Sequence, residues 1–257
     1  MPGDLVIHEY GADDAPTLLF LHGLTDSGSA WPDAVDHWGD SWHIVAPDLR
    51  GHGDSPRFAD DELRHTIEIM TADVDKLLRS FDTPPVVVSH SLGSTLAIFA
   101  EDAHPGLIKA LVMEDPSMPR YNMSAIKLKF AADNVALLEE LDTEEGVAAR
   151  HELGRSMGWD DEGLYAWIEA KHQVDRRMIV HSIPKNQSWK KIFNRLTIPT
   201  LLVQPLHGPV DMGPTEDEVT NPLVQIYKIP DAGHTVRRDN PDAYYALVDP
   251  FLAENHS

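Results

Sequence analysis

Short, branched apolar runs take turns with segments of helical spacing along most of this chain, and few architectures accept that rhythm. The runs are Thr17 to Leu21, Ile44 to Ala46, Val86 to Val88, Leu107 to Met113, Thr200 to Val203 and Val224 to Ile229. They are too short for free-standing helices and read as strands buried on both faces. Between them, Ile67, Met70, Val74, Leu77 and Leu78 form one helical stripe; Tyr244, Leu247, Val248, Phe251 and Leu252 form another, with Asn240 as N-cap and Pro241 in the first turn. Pro250 is expected to kink or end that second helix. The alternation predicts an α/β fold: a mainly parallel central sheet with helices on both faces, and Leu5 to Tyr10 as an antiparallel edge strand. From Ser117 to Leu196 the rhythm fails, with helical pattern and no convincing strand. That stretch predicts an inserted helical cap, residues 117–196, in a core made of 1–116 and 197–257.

At 257 residues such a core can bury roughly 75% of its unfolded surface without a metal or disulfide staple. The 42 acidic against 21 basic residues give a net charge of −21, which repels phosphate backbones and anionic lipid, so neither nucleic acid nor a membrane is an expected partner. The absence of cysteine excludes disulfides, thiolate metal sites and a cysteine nucleophile and fits a reducing compartment. No signal-peptide layout and no apolar run of the ~18 residues a membrane span needs is present, and the expectation is a soluble, cytoplasmic protein. Homodimerisation stays open.

The stretch VVVSHSLGST, residues 86 to 95, has the form of a nucleophile elbow. A strand ends on a serine flanked two residues away on either side by small residues, Ser89 and Gly93, and a helical segment follows. Ser91 stands at the tip. Two other runs end in marked turns, His22-Gly23-Leu24-Thr25 and Asp48-Leu49-Arg50-Gly51-His52-Gly53-Asp54-Ser55. With these three turns in this order the chain resembles the α/β-hydrolase fold superfamily over nearly its whole length, with Ser89 where the family pattern usually has glycine.

The resemblance implies roles. Ser91 Oγ is the expected nucleophile, and the backbone N–H groups of Leu24 and Leu92 the expected oxyanion donors. His234, in the loop before the last helix, is the expected base, and Ser, acid, His is the family's chain order. For the acid the sequence leaves alternatives. Glu114, at the end of an apolar strand, is preferred to Asp211, which follows the Thr200 to Val203 strand, and Asp115 comes third. The PLHGPV loop and VMEDPSMP resemble a bacterial branch of the family and, locally, fungal zearalenone lactone hydrolases, which use a Glu after the earlier strand.

Plainer readings apply elsewhere. RGHGDSP has Pro56 where a dinucleotide fingerprint needs its third glycine, and Asp48, His52 and Asp54 read as a hydrogen-bonded turn in preference to a metal site. Trp159 and Trp167 in the insertion are candidate pocket walls, though tryptophan most often anchors packing. Arg176, Arg177, Lys185, Lys190, Lys191 and Arg195 make the end of the insertion locally basic, a pattern that usually marks a solvated face. The expected activity is cofactor-free and metal-free hydrolysis of a small-molecule carboxylic ester or lactone. Cleavage of carbon–carbon bonds, thioesters or amides uses similar parts, and a slow-turnover receptor or binding protein is the alternative from another class.

Overall fold

The computed structural model describes residues 4–119, 124–185, 188–207 and 215–256, with the backbone alone for 124–127. Seven strands form one sheet: β1 (Ile7–Gly11), β2 (Thr17–Leu21), β3 (His43–Pro47), β4 (Val86–His90), β5 (Ala110–Glu114), β6 (Thr200–Pro205) and β7 (Val224–Ile229). Their order is β1-β3-β2-β4-β5-β6-β7. Only β1 runs antiparallel to its neighbour, pairing β3 at the edge; the other pairings are parallel.

The helices of the core are α1 (Pro32–Trp38), α2 (Thr66–Leu78) and α3 (Leu92–Ala103). Between β5 and β6 come α4 (Ser124–Leu141), α5 (Glu144–Ser156), α6 (Asp161–His172) and α7 (Trp189–Arg195), and after β7 come α8 (Val236–Asp239) and α9 (Pro241–Glu254). Period-two alternation sorts the strand residues into two cores. Leu18, Phe20, Ile44, Val86, Val88, Val112, Leu201 and Val203 pack with residues of α1 and α9. Leu19, Leu21, Val45, Val87, Leu111, Met113 and Leu202 pack with residues of α2, α3 and α7 on the other face. Strands β2 to β6 are therefore buried on both sides, which is why they read as unbroken apolar runs; β7, expected to be buried on both faces, is instead an edge strand that exposes Gln225, Tyr227 and Lys228. In the insertion, Leu141, Leu164 and Ile168 form a small core of their own with Trp159 and Trp167 against it.

Two local expectations change. The run starting at Leu107 joins the sheet only at Ala110, because the buried Glu101 carboxylate accepts from the N–H groups of Gly106 and Ile108 and shapes a turn there. Pro250 does not end α9, which continues to Glu254. Phe251 and Leu252 beyond it are buried, and their packing outweighs the hydrogen bond that proline removes. The Asn240 side chain caps the start of α9 by accepting from Ala243 N–H.

Candidate active site

The turn from β4 into α3 is strained at one residue. Ser91 has φ +49° and ψ −111°, a conformation non-glycine residues adopt rarely and mostly at functional sites. Its neighbours hold it there. Ser91 N–H donates to Glu114 O at 2.9 Å, and Ser117 N–H donates to Ser91 O at 3.2 Å. A β-carbon at Gly93 would collide with the carbonyl oxygens of Leu21 and His22, so the second small position of the elbow must be glycine. Ser89 fills the first small position, fully buried, and its hydroxyl donates to Val112 O at 2.7 Å.

His234 comes to this serine from the loop after β7. Its Nε2 lies 3.0 Å from Ser91 Oγ, and its Nδ1 lies 2.6 Å from Asp115 Oδ2. The carboxylate that meets His234 is thus Asp115, third in preference on the sequence, and not Glu114. The reason lies at the strand end. Glu114 is the last residue of β5, in register with His90 and Val203, and its side chain is fully buried with Oε1 accepting from Arg237 N–H at 2.7 Å. Asp115 leaves the strand with φ +34°, and that turn carries its side chain toward His234. Asp is among the few residue types that tolerate the left-handed region. Asp211 lies outside the described residues. The local likeness of PLHGPV and VMEDPSMP to zearalenone lactone hydrolases implied a glutamate as the acid, and here Glu114 accepts from Arg237 N–H while Asp115 meets His234.

Lost hydration beside the elbow acts to lower the His234 pKa. The Asp115 hydrogen bond and charge, with Glu114 and Asp239 behind them, outweigh it and hold the imidazole above the ordinary histidine range. Burial pushes the Glu114 carboxyl up to about 7 against the pull of Arg237. His90 is a participant that sequence reasoning missed. It sits between the two serines, its Nε2 lies 3.0 Å from the His234 carbonyl, and burial holds its pKa well below the ordinary value. The neutral ring therefore donates to the backbone of His234. Its signal was its position, one residue before the elbow tip.

The His22-Gly23-Leu24-Thr25 turn closes the other side. A β-carbon on Gly23 would lie 2.7 Å from His90 Nδ1 and 3.2 Å from Ser91 Cβ, so only glycine lets the turn lie against the elbow. His22 is fully buried, donating from Nδ1 to Gly23 O at 2.8 Å and accepting Leu49 N–H at Nε2, 2.9 Å away. Leu24 follows in this turn, and Leu92 opens α3, where helix N–H groups have no partner four residues back.

The remaining candidates have partners of their own. Asp48 accepts from the N–H groups of Gly28 and Asp54, and Ser55 Oγ donates to Asp48 O. Among the described residues no group of three or more His, Asp or Glu is placed to hold a metal. Trp159 and Trp167 meet edge to face, with centroids 5.8 Å apart. Trp159 Nε1 donates to Asp239 Oδ1 at 2.9 Å, which ties the insertion to the helix after His234. The basic run is largely paired, Arg176 with Asp142, Arg177 with Asp175 and Asp60, and Arg195 with Asp102. No helix among the described residues is long and apolar enough to cross a membrane.

Comparison with known proteins agrees with this fold. Residues 18–247 match the model of the Alpha/beta hydrolase family. Lipase LipV of Mycobacterium tuberculosis is 35% identical over 115 residues, covering 45% of this chain and 42% of the lipase. Epoxide hydrolase 1 of Caenorhabditis elegans is 23% identical over 278 residues, covering 94% of this chain and 66% of that protein. The chain spans less than two thirds of the length of either relative. Among solved structures, an esterase from Rhodococcus superposes with a TM-score of 0.72 at 17% identity, covering 98% of this chain and 95% of that one. E-2-(acetamidomethylene)succinate hydrolase gives 0.73 at 18% identity, covering 97% and 95%. At such identity these two speak for the fold. The family match extends over most of the sequence and takes in all three marked turns: this chain belongs to the alpha/beta hydrolase family.

Proposed function

We propose that the protein is a cofactor-independent serine hydrolase that cleaves a carboxylic ester or lactone through an acyl-enzyme. The observation that carries the reading is the unbroken line Asp115 Oδ2, His234 Nδ1, His234 Nε2, Ser91 Oγ, with gaps of 2.6 and 3.0 Å. In this reading His234 takes the Ser91 proton as Oγ attacks the carbonyl, and Asp115 holds the ring in the tautomer that leaves Nε2 free. The tetrahedral oxyanion is received by the N–H groups of Leu24 and Leu92, each typically worth about 100- to 1000-fold in rate. His234 then protonates the leaving alcohol and activates the water that hydrolyses the ester on Ser91. Helices α4 to α6 act as the cap over this face.

The epoxide hydrolase relative shares the fold, but a serine at the elbow tip suits acyl chemistry better. Attack of Ser91 Oγ on an epoxide would leave an ether, which water and a histidine base do not cleave. Attack on a carbonyl leaves an ester, which they do.

The test is hydrolysis of p-nitrophenyl acetate and butyrate by the natural protein and by Ser91→Ala, with mass mapping of a fluorophosphonate adduct. Turnover abolished by the substitution and label on Ser91 are expected. Turnover that survives Ser91→Ala, or label elsewhere, refutes the reading.

A further inference from the structure

Lys171 lies in the last turn of α6, inside the insertion, yet only 3% of it is exposed. Its Nζ donates to Thr25 O at 3.3 Å and sits 3.6 Å from the centre of the Trp167 ring, one helical turn back on the same face. Burying an ammonium is costly and is tolerated when its donors and charge are met. Here a carbonyl and an aromatic face meet them. Asp26 adds an opposing charge, and burial still pulls the amine down to about 7, with Arg238 of α8 and Arg150 of α5 acting in the same direction.

The acceptor is unusual too. Thr25 is β-branched and has φ +67°, a region such residues occupy only when their surroundings force it. It directly follows Leu24, whose N–H is an oxyanion donor in the reading above, and Gly23 before it packs on Ser91. Asp26 on the far side lies 4.0 Å from Arg238 Nη1. The turn beside the nucleophile is thus clamped from outside the core by an amine donor of the insertion.

We propose that Lys171 is a positioning residue for the reaction: by holding the strained Thr25 carbonyl it keeps the 23–26 turn seated, so that the Leu24 N–H points to where the oxyanion forms. The inference rests on the serine hydrolase reading. It makes the insertion part of the catalytic apparatus, because closing α6 onto the core completes the oxyanion site.

The test is Lys171→Met in the full chain, which keeps the apolar stem and removes the donor. Two measurements decide it: kcat and KM for p-nitrophenyl butyrate per serine titrated with fluorophosphonate, and hydrogen exchange of the 22–28 segment. Mispositioning one donor is expected to lower kcat per titrated site by about 10- to 100-fold with KM within about twofold, and to speed exchange in that segment. A kcat per site within about threefold of the natural protein, or unchanged exchange over 22–28, overturns the proposal. Lys171→Gln, shorter and uncharged, serves if the methionine variant does not fold, with the same loss expected. If the natural protein neither turns over nor labels, the hydrolase reading falls, and the exchange result alone still decides whether Lys171 seats the turn.

Discussion

Replacing Glu114 by Gln removes a buried charge and little else. The side chain is fully enclosed, Oε1 accepts one N–H from Arg237, and Oε2 is buried without a hydrogen-bond partner among the described residues. Glutamine keeps the shape and the acceptor. Around the carboxyl stand Arg237 and Arg238 of α8, His234 of the preceding loop and Tyr244 of α9. Their net effect leaves burial dominant, and the group titrates at about 7, against 4.5 for an ordinary glutamate. A pKa raised by folding means that the native state holds the proton more tightly than the unfolded chain. The contribution to stability is therefore complete below 4.5 and is lost as pH rises through 7. At 1.36 kcal/mol per pKa unit the whole effect is about 3 kcal/mol, most of it developed between about pH 5 and pH 8. Urea denaturation of the natural protein and of Glu114→Gln at about pH 5 and pH 9 should show the variant gaining about 2 to 3 kcal/mol relative to the natural protein at the higher pH. If the two stabilities run parallel across that range, the buried carboxyl does not titrate as argued.

Two further substitutions probe the site. Asp115→Asn should lower kcat by about 10³- to 10⁴-fold, and any residual kcat/KM should rise with pH through a lower midpoint than in the natural protein. That sign follows because Asp115 holds the His234 pKa up and the base works only when neutral; a midpoint that does not move would show that Asp115 does not set the charge state of His234. Gly23→Ala places a methyl 2.7 Å from His90 Nδ1 and 3.2 Å from Ser91 Cβ. It should unseat the turn, cost about 1 to 3 kcal/mol of stability and depress kcat, and a variant as stable and active as the parent would show that the turn has room to spare.

The sheet was legible because its strands are short apolar runs, most of which stop at Gly, Pro, His or Asp, and because helical stripes such as Met70, Val74 and Leu78 separate them. Ser91 and His234 were legible as positions, one at an elbow and one before the last helix, and the structure brings them within hydrogen-bond distance. The choice between Glu114 and Asp115 was not. It turns on a single backbone torsion at the end of β5, and adjacent carboxylates with opposite directions look alike in a sequence. The tryptophans were ambiguous for another reason: their partners, Asp239 and Lys171, lie far along the chain or gain meaning only once α6 docks.

Ser91 and Asp115 each follow the end of one of two hydrogen-bonded parallel strands, β4 and β5, with His90 opposite Glu114. Their separation is fixed by the sheet itself, whose strand spacing of about 4.8 Å hardly varies. His234 is supplied by a loop, steadied by His90 at its carbonyl, Asp239 at Gly233 N–H and Glu114 at Arg237 N–H. In the serine hydrolase reading the sheet sets where nucleophile and acid stand, and the 231–239 segment sets where the base stands, so a change in that segment retunes the base while Ser91 and Asp115 keep their places.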